Sequence, residues 1–292
     1  MAGEETPFRR IRSDFMANPT AVFGLVLLAA ILAVAIAAPL ISPQNPYDLA
    51  QLDVMDGRLP PGANTDGGTF WLGTDDQGRD MLSAIFYGLR ISLTVGVVST
   101  VVALALGLTL GLAAAYFGGR TETVIMRIAD IQLSFPAILI ALILLAVLGQ
   151  GMLKIIAALV TVQWAYYART VRSAALVEKR KEYIEAARCL ALSPSRIVFR
   201  HLLPNCLPPL IVVATVQVAA AIALEATLSF LGLGLPITEP SLGLLIANGY
   251  QYLLSGKYWI SFFPGVALLL TIVSINLVAD QLRDVLNPRL QR

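Results

Sequence analysis

Residues 91–116 read ISLTVGVVSTVVALALGLTLGLAAAY and contain no charged side chain. A helix rises about 1.5 Å per residue, so roughly 20 apolar residues cross the hydrocarbon of a bilayer, and this stretch suffices. Comparable runs recur at residues 20–40, 131–148, 151–173, 204–231 and 258–280, each bounded by charge. Six transmembrane helices are therefore expected. The run 151–173 is charge-free only over 155–168, so Lys154 and Arg169 must snorkel in opposite directions. The composition agrees: 57% of the residues are hydrophobic and 14% charged, and the mean hydropathy is +0.74, against roughly 45–50% apolar and 25% charged for soluble domains. The fold class expected is an all-α membrane protein.

The amino terminus resembles a secretory leader, because Arg9, Arg10 and Arg12 precede an apolar run and Ala35-Ile36-Ala37 looks like a cleavage site. The uncharged stretch 15–47 exceeds a leader's usual apolar region of about 7–15 residues, which points to a first span instead. Counting Lys and Arg along six spans places 16 on one side: Arg9, Arg10, Arg12, Arg120, Arg127, the eight between Arg169 and Arg200, and Arg283, Arg289 and Arg292. Only five, Arg58, Arg79, Arg90, Lys154 and Lys257, fall on the other. The positive-inside rule then predicts that both termini are cytoplasmic. The loop 42–90 lies outside, with seven aspartates (Asp48, Asp53, Asp56, Asp66, Asp75, Asp76 and Asp80) against three arginines.

Two cysteines and one histidine, His201, offer no metal-ligand spacing. No Gly-x-x-x-x-Gly-Lys-Ser/Thr phosphate loop occurs, so a nucleotide would have to be bound by another chain. Long polar insertions are confined to the outer loop 42–90 and the inner loop 169–203, and function is sought there first.

The inner loop 178–203 reads as two short helices around a corner, with Ser193 as N-cap and Pro194 at the first helical position. Ile184, Ala187 and Leu190 fall on one face of the first helix; Lys179, Arg180, Lys181 and Arg188 supply charge elsewhere. By itself this pattern suits an amphipathic loop lying against anionic lipid. However, Glu185-Ala186-Ala187, then Ala191, then Leu203-Pro204 resembles the Glu-Ala-Ala signature of ABC importer permeases. Ala191 stands where that signature has glycine, and His201 where it has isoleucine.

The resemblance extends along the chain. Trp71 to Asp80, Tyr87-Gly88, Arg90 to Leu93, Tyr116 to Gly119, Ser229 to Gly234 and Asp280 to Pro288 are similar to permeases of the peptide/nickel (dipeptide and oligopeptide) type, C-subunit branch. It implies a type I importer architecture in the bacterial inner membrane. It also implies partners: a second, homologous permease subunit, two ATPase subunits or domains that bind ATP and Mg, and an external solute-binding protein. No cofactor would reside in this chain. Glu185, Ala186, Ala187, Arg188, Ala191, Leu203 and Pro204 would form the loop that couples to the ATPase. The small alanines permit close approach, and the Glu185 carboxylate offers a register-fixing charge.

Division of the chain follows: residues 1–90 hold the amino terminus, first span and external loop, 91–285 a core permease domain with the coupling loop 174–203, and 286–292 a tail. In the outer loop Thr74-Asp75-Asp76-Gln77 reads as a capping box ahead of Met81, Leu82, Ile85, Phe86 and Leu89 on one face. This predicts an amphipathic helix on the outer surface, with Trp71 near the interface. Glu225 is the one carboxylate within a predicted span. It lies about 31 Å beyond Pro204, close to the outer boundary, where it would hydrate at a helix end, line an outer gate or touch a binding protein. Pro136 and Pro264 are candidate kinks. The rival readings are a self-contained secondary transporter or channel, which needs ionisable groups near the midplane, and an intramembrane protease, which needs a nucleophile with a partner at depth.

Overall fold

The fold was analysed in a computed structural model, which describes residues 7–65 and 68–286. The tail beyond 286 and Asp66 lie outside the described residues. The elements are α1 (Pro7–Met16), α2 (Pro19–Ile41), a hairpin of β1 (Ala63–Thr65) and β2 (Gly68–Phe70), α3 (Met81–Phe117), α4 (Gly119–Leu133), α5 (Ala137–Leu148), α6 (Met152–Glu178), α7 (Glu182–Cys189), α8 (Pro194–Phe230), α9 (Leu242–Tyr250) and α10 (Trp259–Leu286). The strands pair antiparallel, Ala63 opposite Phe70.

Four helices, α2, α3, α8 and α10, are long and apolar enough to cross a membrane, or five spans if the bent pair α4–α5 counts as one. The expected single helix at 131–148 is instead broken at Ser134-Phe135-Pro136, where the axis turns by 92°. Proline supplies no N–H and biases the preceding residue away from helical geometry, so the ladder stops there. The 12 residues of α5 extend only about 18 Å, well short of the bilayer core. The run at 151–173 does form one helix, but α6 is less apolar than the other long helices, since it carries Lys154, Arg169, Arg172 and buried polar side chains. Its Gln163, Trp164 and Tyr167 are buried, and Gln163 donates to the Gln217 carbonyl at 3.1 Å. Trp164 donates to Gln132 of α4 at 2.7 Å. Polar side chains inside a bundle find partners in neighbouring helices and need not match lipid.

Two glycines set the close contact between α3 and α6. A Cβ at Gly107 would lie 2.5 Å from the Trp164 carbonyl oxygen and 2.5 Å from the Tyr167 Cβ. At Gly111 it would meet the Ala168 carbonyl oxygen at 2.6 Å. The Gly107-x-x-x-Gly111 spacing places both on one face of α3 and lets α6 lie against the backbone.

The surface helix expected at the end of the outer loop is absent as a separate element. Helix α3 begins at Met81, with Asp80 rather than Thr74 as its cap: Asp80 accepts from the Ser83 amide at 2.8 Å and from its hydroxyl at 2.6 Å. Met81, Ala84, Ile85 and Leu89 are core residues packed with Ile222, Leu242, Leu245 and Ile260, and the helix runs on without a break into the span. Thr74 and Asp75 are buried in a knot of loops. The Thr74 hydroxyl donates to the Asp56 carbonyl at 2.5 Å, and the Trp259 indole donates to the Thr74 carbonyl at 3.2 Å. Arg79, fully buried, donates to the Ile237 carbonyl at 2.7 Å. Burial raises the Asp75 carboxyl to about 6 despite Arg79 beside it. This motif ties loop 42–80 to the segment before α9 and to the first residue of α10. Trp71 itself is 68% exposed.

Helices α3 and α6 end, and α8 begins, at the end of the bundle that carries α7. Asn18, before α2, donates to Gln281 of α10 at 2.6 Å, and Gln281 in turn donates to the Asp14 carbonyl, so both terminal helices meet there as well. Arginine and lysine crowd this basic end; the aspartate-rich loop occupies the other.

Candidate functional site: the α7 loop at the basic end

Helix α7 carries Glu185-Ala186-Ala187 and is held by its own subunit from three directions. The Lys179 ammonium donates to the Ala115 and Tyr116 carbonyls, at 2.8 and 2.9 Å, at the carboxy end of α3. A cation is favourable at that helix terminus. Tyr183 donates to Glu178 at 2.7 Å and accepts from the Asn205 amide at 3.1 Å, joining α7 to the end of α6 and to α8. Burial, with the Glu178 acceptor, pushes the Tyr183 phenol up to about 12, which keeps it a donor. Ile184 and Ala187 are buried and pack with Ile197, Tyr116 and Leu192.

The opposite face of α7 is free. Glu182, Glu185, Ala186, Arg188 and Cys189 are all exposed. The two alanines of the signature are thus divided: Ala187 is spent on internal packing, and Ala186 alone remains for a close external approach. Leu190, expected beside Ile184 and Ala187, is 74% exposed. The helix ends at Cys189, and Leu190, with ψ near 6°, no longer follows the helical screw.

Beyond it the chain reverses through a Schellman motif. The Leu192 amide donates to the Ala187 carbonyl at 3.2 Å and the Ala191 amide to the Arg188 carbonyl at 2.9 Å. Ala191 has φ 52°, the left-handed conformation for which glycine is the usual choice. The departure from the signature therefore leaves the corner intact and adds strain of about 1 kcal/mol. Ala191→Gly is expected to relieve it, slowing hydrogen exchange of the 187–192 amides several-fold while leaving the rest of the chain unchanged.

Ser193 and Pro194 start a helix as expected, yet no second short helix precedes a new span: α8 runs through Leu203 and Pro204 without a corner. The turn at Ile197–Leu202 is instead widened to a π-helix, with the Leu203 amide reaching the Val198 carbonyl. Pro204 cannot donate to the ordinary ladder, and one extra residue in the turn accommodates it. Leu203 is half-buried, Pro204 exposed and His201 half-buried.

Two basic side chains near the end of α6 are paired with carboxylates of α4. Arg172 binds Glu122 through Nε at 2.7 Å, and Arg169 pairs with Asp130, so α4 is clipped onto α6. Between α6, α8 and α10 opens a cleft of about 1200 Å³, whose wall includes Tyr166, Arg169, Ser173, Glu178, Asn205 and Arg283. At the other end of the bundle Glu225 is fully buried rather than hydrated at a helix terminus. It accepts from Ser92 of α3 at 3.0 Å and from Ser229 at 2.7 Å. It does not reach the surface of this chain, and the structure does not bring it near α7.

Sequence reasoning missed three features. The Gly107-x-x-x-Gly111 spacing was available as a signal. The Tyr183–Asn205 and Lys179–Tyr116 links were not, since neither spacing has local meaning.

Residues 103–292 match the family described as binding-protein-dependent transport system inner membrane component, and residues 6–61 match the N-terminal TM domain of oligopeptide transport permease C. Among curated relatives, the di/tripeptide transport system permease protein DppC of Pseudomonas aeruginosa is 36% identical over 98% of this chain and 93% of its own. A putative peptide transport system permease protein of Brucella suis is 41% identical over 92% of this chain and 87% of its own. The oligopeptide transport system permease protein OppC of Bacillus subtilis is 36% identical over 95% and 88%. A structure of the MetNI methionine ABC transporter in inward-facing form superposes with a TM-score of 0.57 at 24% identity, over 71% of this chain and 98% of that one, a likeness of fold. The chain belongs to the binding-protein-dependent transport system inner membrane component family, the multi-pass permease subunits of ABC importers.

Proposed function

We propose that this permease carries peptides inward across a bacterial cytoplasmic membrane, driven by ATP and Mg bound on separate ATPase subunits. The substrate class rests on relatives named for di/tripeptide and oligopeptide transport. In this reading α2, α3, the bent pair α4–α5, α6, α8 and α10 make six spans. Both termini and the basic end are cytoplasmic, which agrees with the distribution of Lys and Arg. A second, homologous permease completes the pathway, the mixed-charge cleft forming one wall of its inner mouth. An external binding protein delivers substrate at the aspartate-rich end.

The observation that carries the proposal is the division of α7 into a buried face and an exposed one. A short helix braced against three others, presenting Glu185 and Ala186 outward, transmits displacement as a rigid body. Closure of the ATPases would push α7, and Lys179 and Asn205 would pass that push to α3 and α8. Affinity purification of the chain from its native membrane is expected to recover an ATPase whose hydrolysis, in vesicles with the binding protein, rises with peptide. Peptide uptake by the chain alone, without ATP, would sink the reading.

A further inference from the structure

An apolar concavity of about 360 Å³ opens at the basic end between α3 and the start of α8, lined by Leu112, Phe117, Pro194, Val198 and Phe199 among others. A second, of about 380 Å³, continues along the same pair of helices towards Val97 and Leu32. Leu108 lines both, so they form one furrow. Along α3 it follows residues 93–117, about 36 Å, long enough to cross the hydrocarbon of a bilayer. Hydroxyls on its walls are turned inward. Thr109 donates to the Ala105 carbonyl and Thr215 to the Ile211 carbonyl, each at 2.8 Å, so the furrow presents hydrocarbon. At its mouth Phe117 and Phe199 are 71% and 65% exposed.

The unpaired charge around that mouth is positive, the nearby Glu122 carboxylate being paired with Arg172. Arg196 and Arg200 flank Phe199 on α8, and Arg120 follows Phe117 at the start of α4; all three are exposed. None has a carboxylate partner among the described residues. Lys179 lies 5.7 Å over the ring of Tyr116, which also lines the furrow. The exposed face of α7, by contrast, carries Glu182 and Glu185 beside Arg188. A partner that recognises α7 meets mixed charge, whereas an occupant of the furrow meets an apolar channel ending in guanidinium groups.

We infer that the α3/α8 furrow is a binding site for an anionic phospholipid, with an acyl chain lying in the furrow and the headgroup phosphate held by Arg196 and Arg200, with Arg120 nearby. Basic side chains at a membrane surface attract anionic lipid additively, and an apolar channel adds the hydrophobic contact of the chain. The site differs from a general lipid annulus in selecting headgroup charge. It rests on the membrane-embedded fold and not on which solute is carried.

The test places p-benzoylphenylalanine at Phe199 in the assembled transporter, reconstituted in equal amounts of phosphatidylglycerol and phosphatidylcholine. Illumination followed by mass spectrometry is expected to give a lipid adduct favouring the glycerol headgroup at least about tenfold, from two to three basic contacts. The same probe with Arg196→Gln and Arg200→Gln is expected to react with both lipids about equally. An adduct to another protein chain would overturn the inference by showing the furrow covered. So would an adduct without headgroup preference in the otherwise unaltered chain, which needs no variant to fold.

Discussion

Glu185→Lys is expected to abolish transport while leaving the chain folded and in the membrane. The Glu185 side chain is exposed and makes no hydrogen bond or ion pair among the described residues, so its loss costs at most the modest interaction of an acid with the first turn of α7, about 0.3–1 kcal/mol. Its value lies in what would dock against it. Reversing a charge at a closely packed interface leaves a buried partner unpaired and adds repulsion, together costing about 2–5 kcal/mol. Peptide-stimulated ATP hydrolysis and uptake in vesicles should fall at least about thirtyfold, with membrane yield and unfolding temperature unchanged. Ala186→Trp should act in the same direction, because the exposed alanine allows close approach. Retention of full uptake in both variants would show that α7 is not the point of transmission.

Gly107→Leu is expected to prevent the bundle from assembling. The added side chain would point into the α6 backbone at Trp164 and the Cβ of Tyr167, neither of which can rotate away. Helix α6 is braced on its far side by α4 and α8, so α3 and α6 must separate along their length. Overpacking of a tight core costs about 1–3 kcal/mol when side chains absorb it and more when backbone must move. Yield of monodisperse protein in detergent should drop sharply, with a smaller loss for Gly107→Ala. Gly265→Ala, where nothing lies within 4 Å of the new methyl, is the control and should behave as the parent does. Equal unfolding temperatures for Gly107→Leu and the control would refute the close-contact account.

These two residues differ in how legible they were. Glu185 could be singled out because Glu185-Ala186-Ala187, Ala191 and Leu203-Pro204 stand at the spacing of the importer-permease signature. Which alanine faces inward was readable from the apolar face shared by Ile184 and Ala187, but not that this face packs on Tyr116, a residue far away in sequence, nor that Leu190 leaves it. Gly107 and Gly111 were visible as a spacing, but their partner helix was not. Glu225 was misplaced for a similar reason: its depth along a helix could be estimated, whereas burial depended on Ser92 of α3 closing over it.

By itself the sequence determined that this is a helical membrane protein, where four of its spans run, which end is basic, and where the α7 motif and the Ser193-Pro194 helix start lie. Those properties follow from local hydropathy, charge and backbone stereochemistry, which act within a few residues. The break at Pro136 was legible as a candidate kink, because proline stereochemistry is local. Only the tertiary structure decided that Gln163 and Trp164 of α6 are buried against α8 and α4, and that residues 81–90 belong to α3 rather than to a surface helix. It also decided that Lys179, Arg169 and Arg172 serve internal contacts. Each of these depends on which neighbour a side chain meets across the bundle, and no spacing along one helix encodes that.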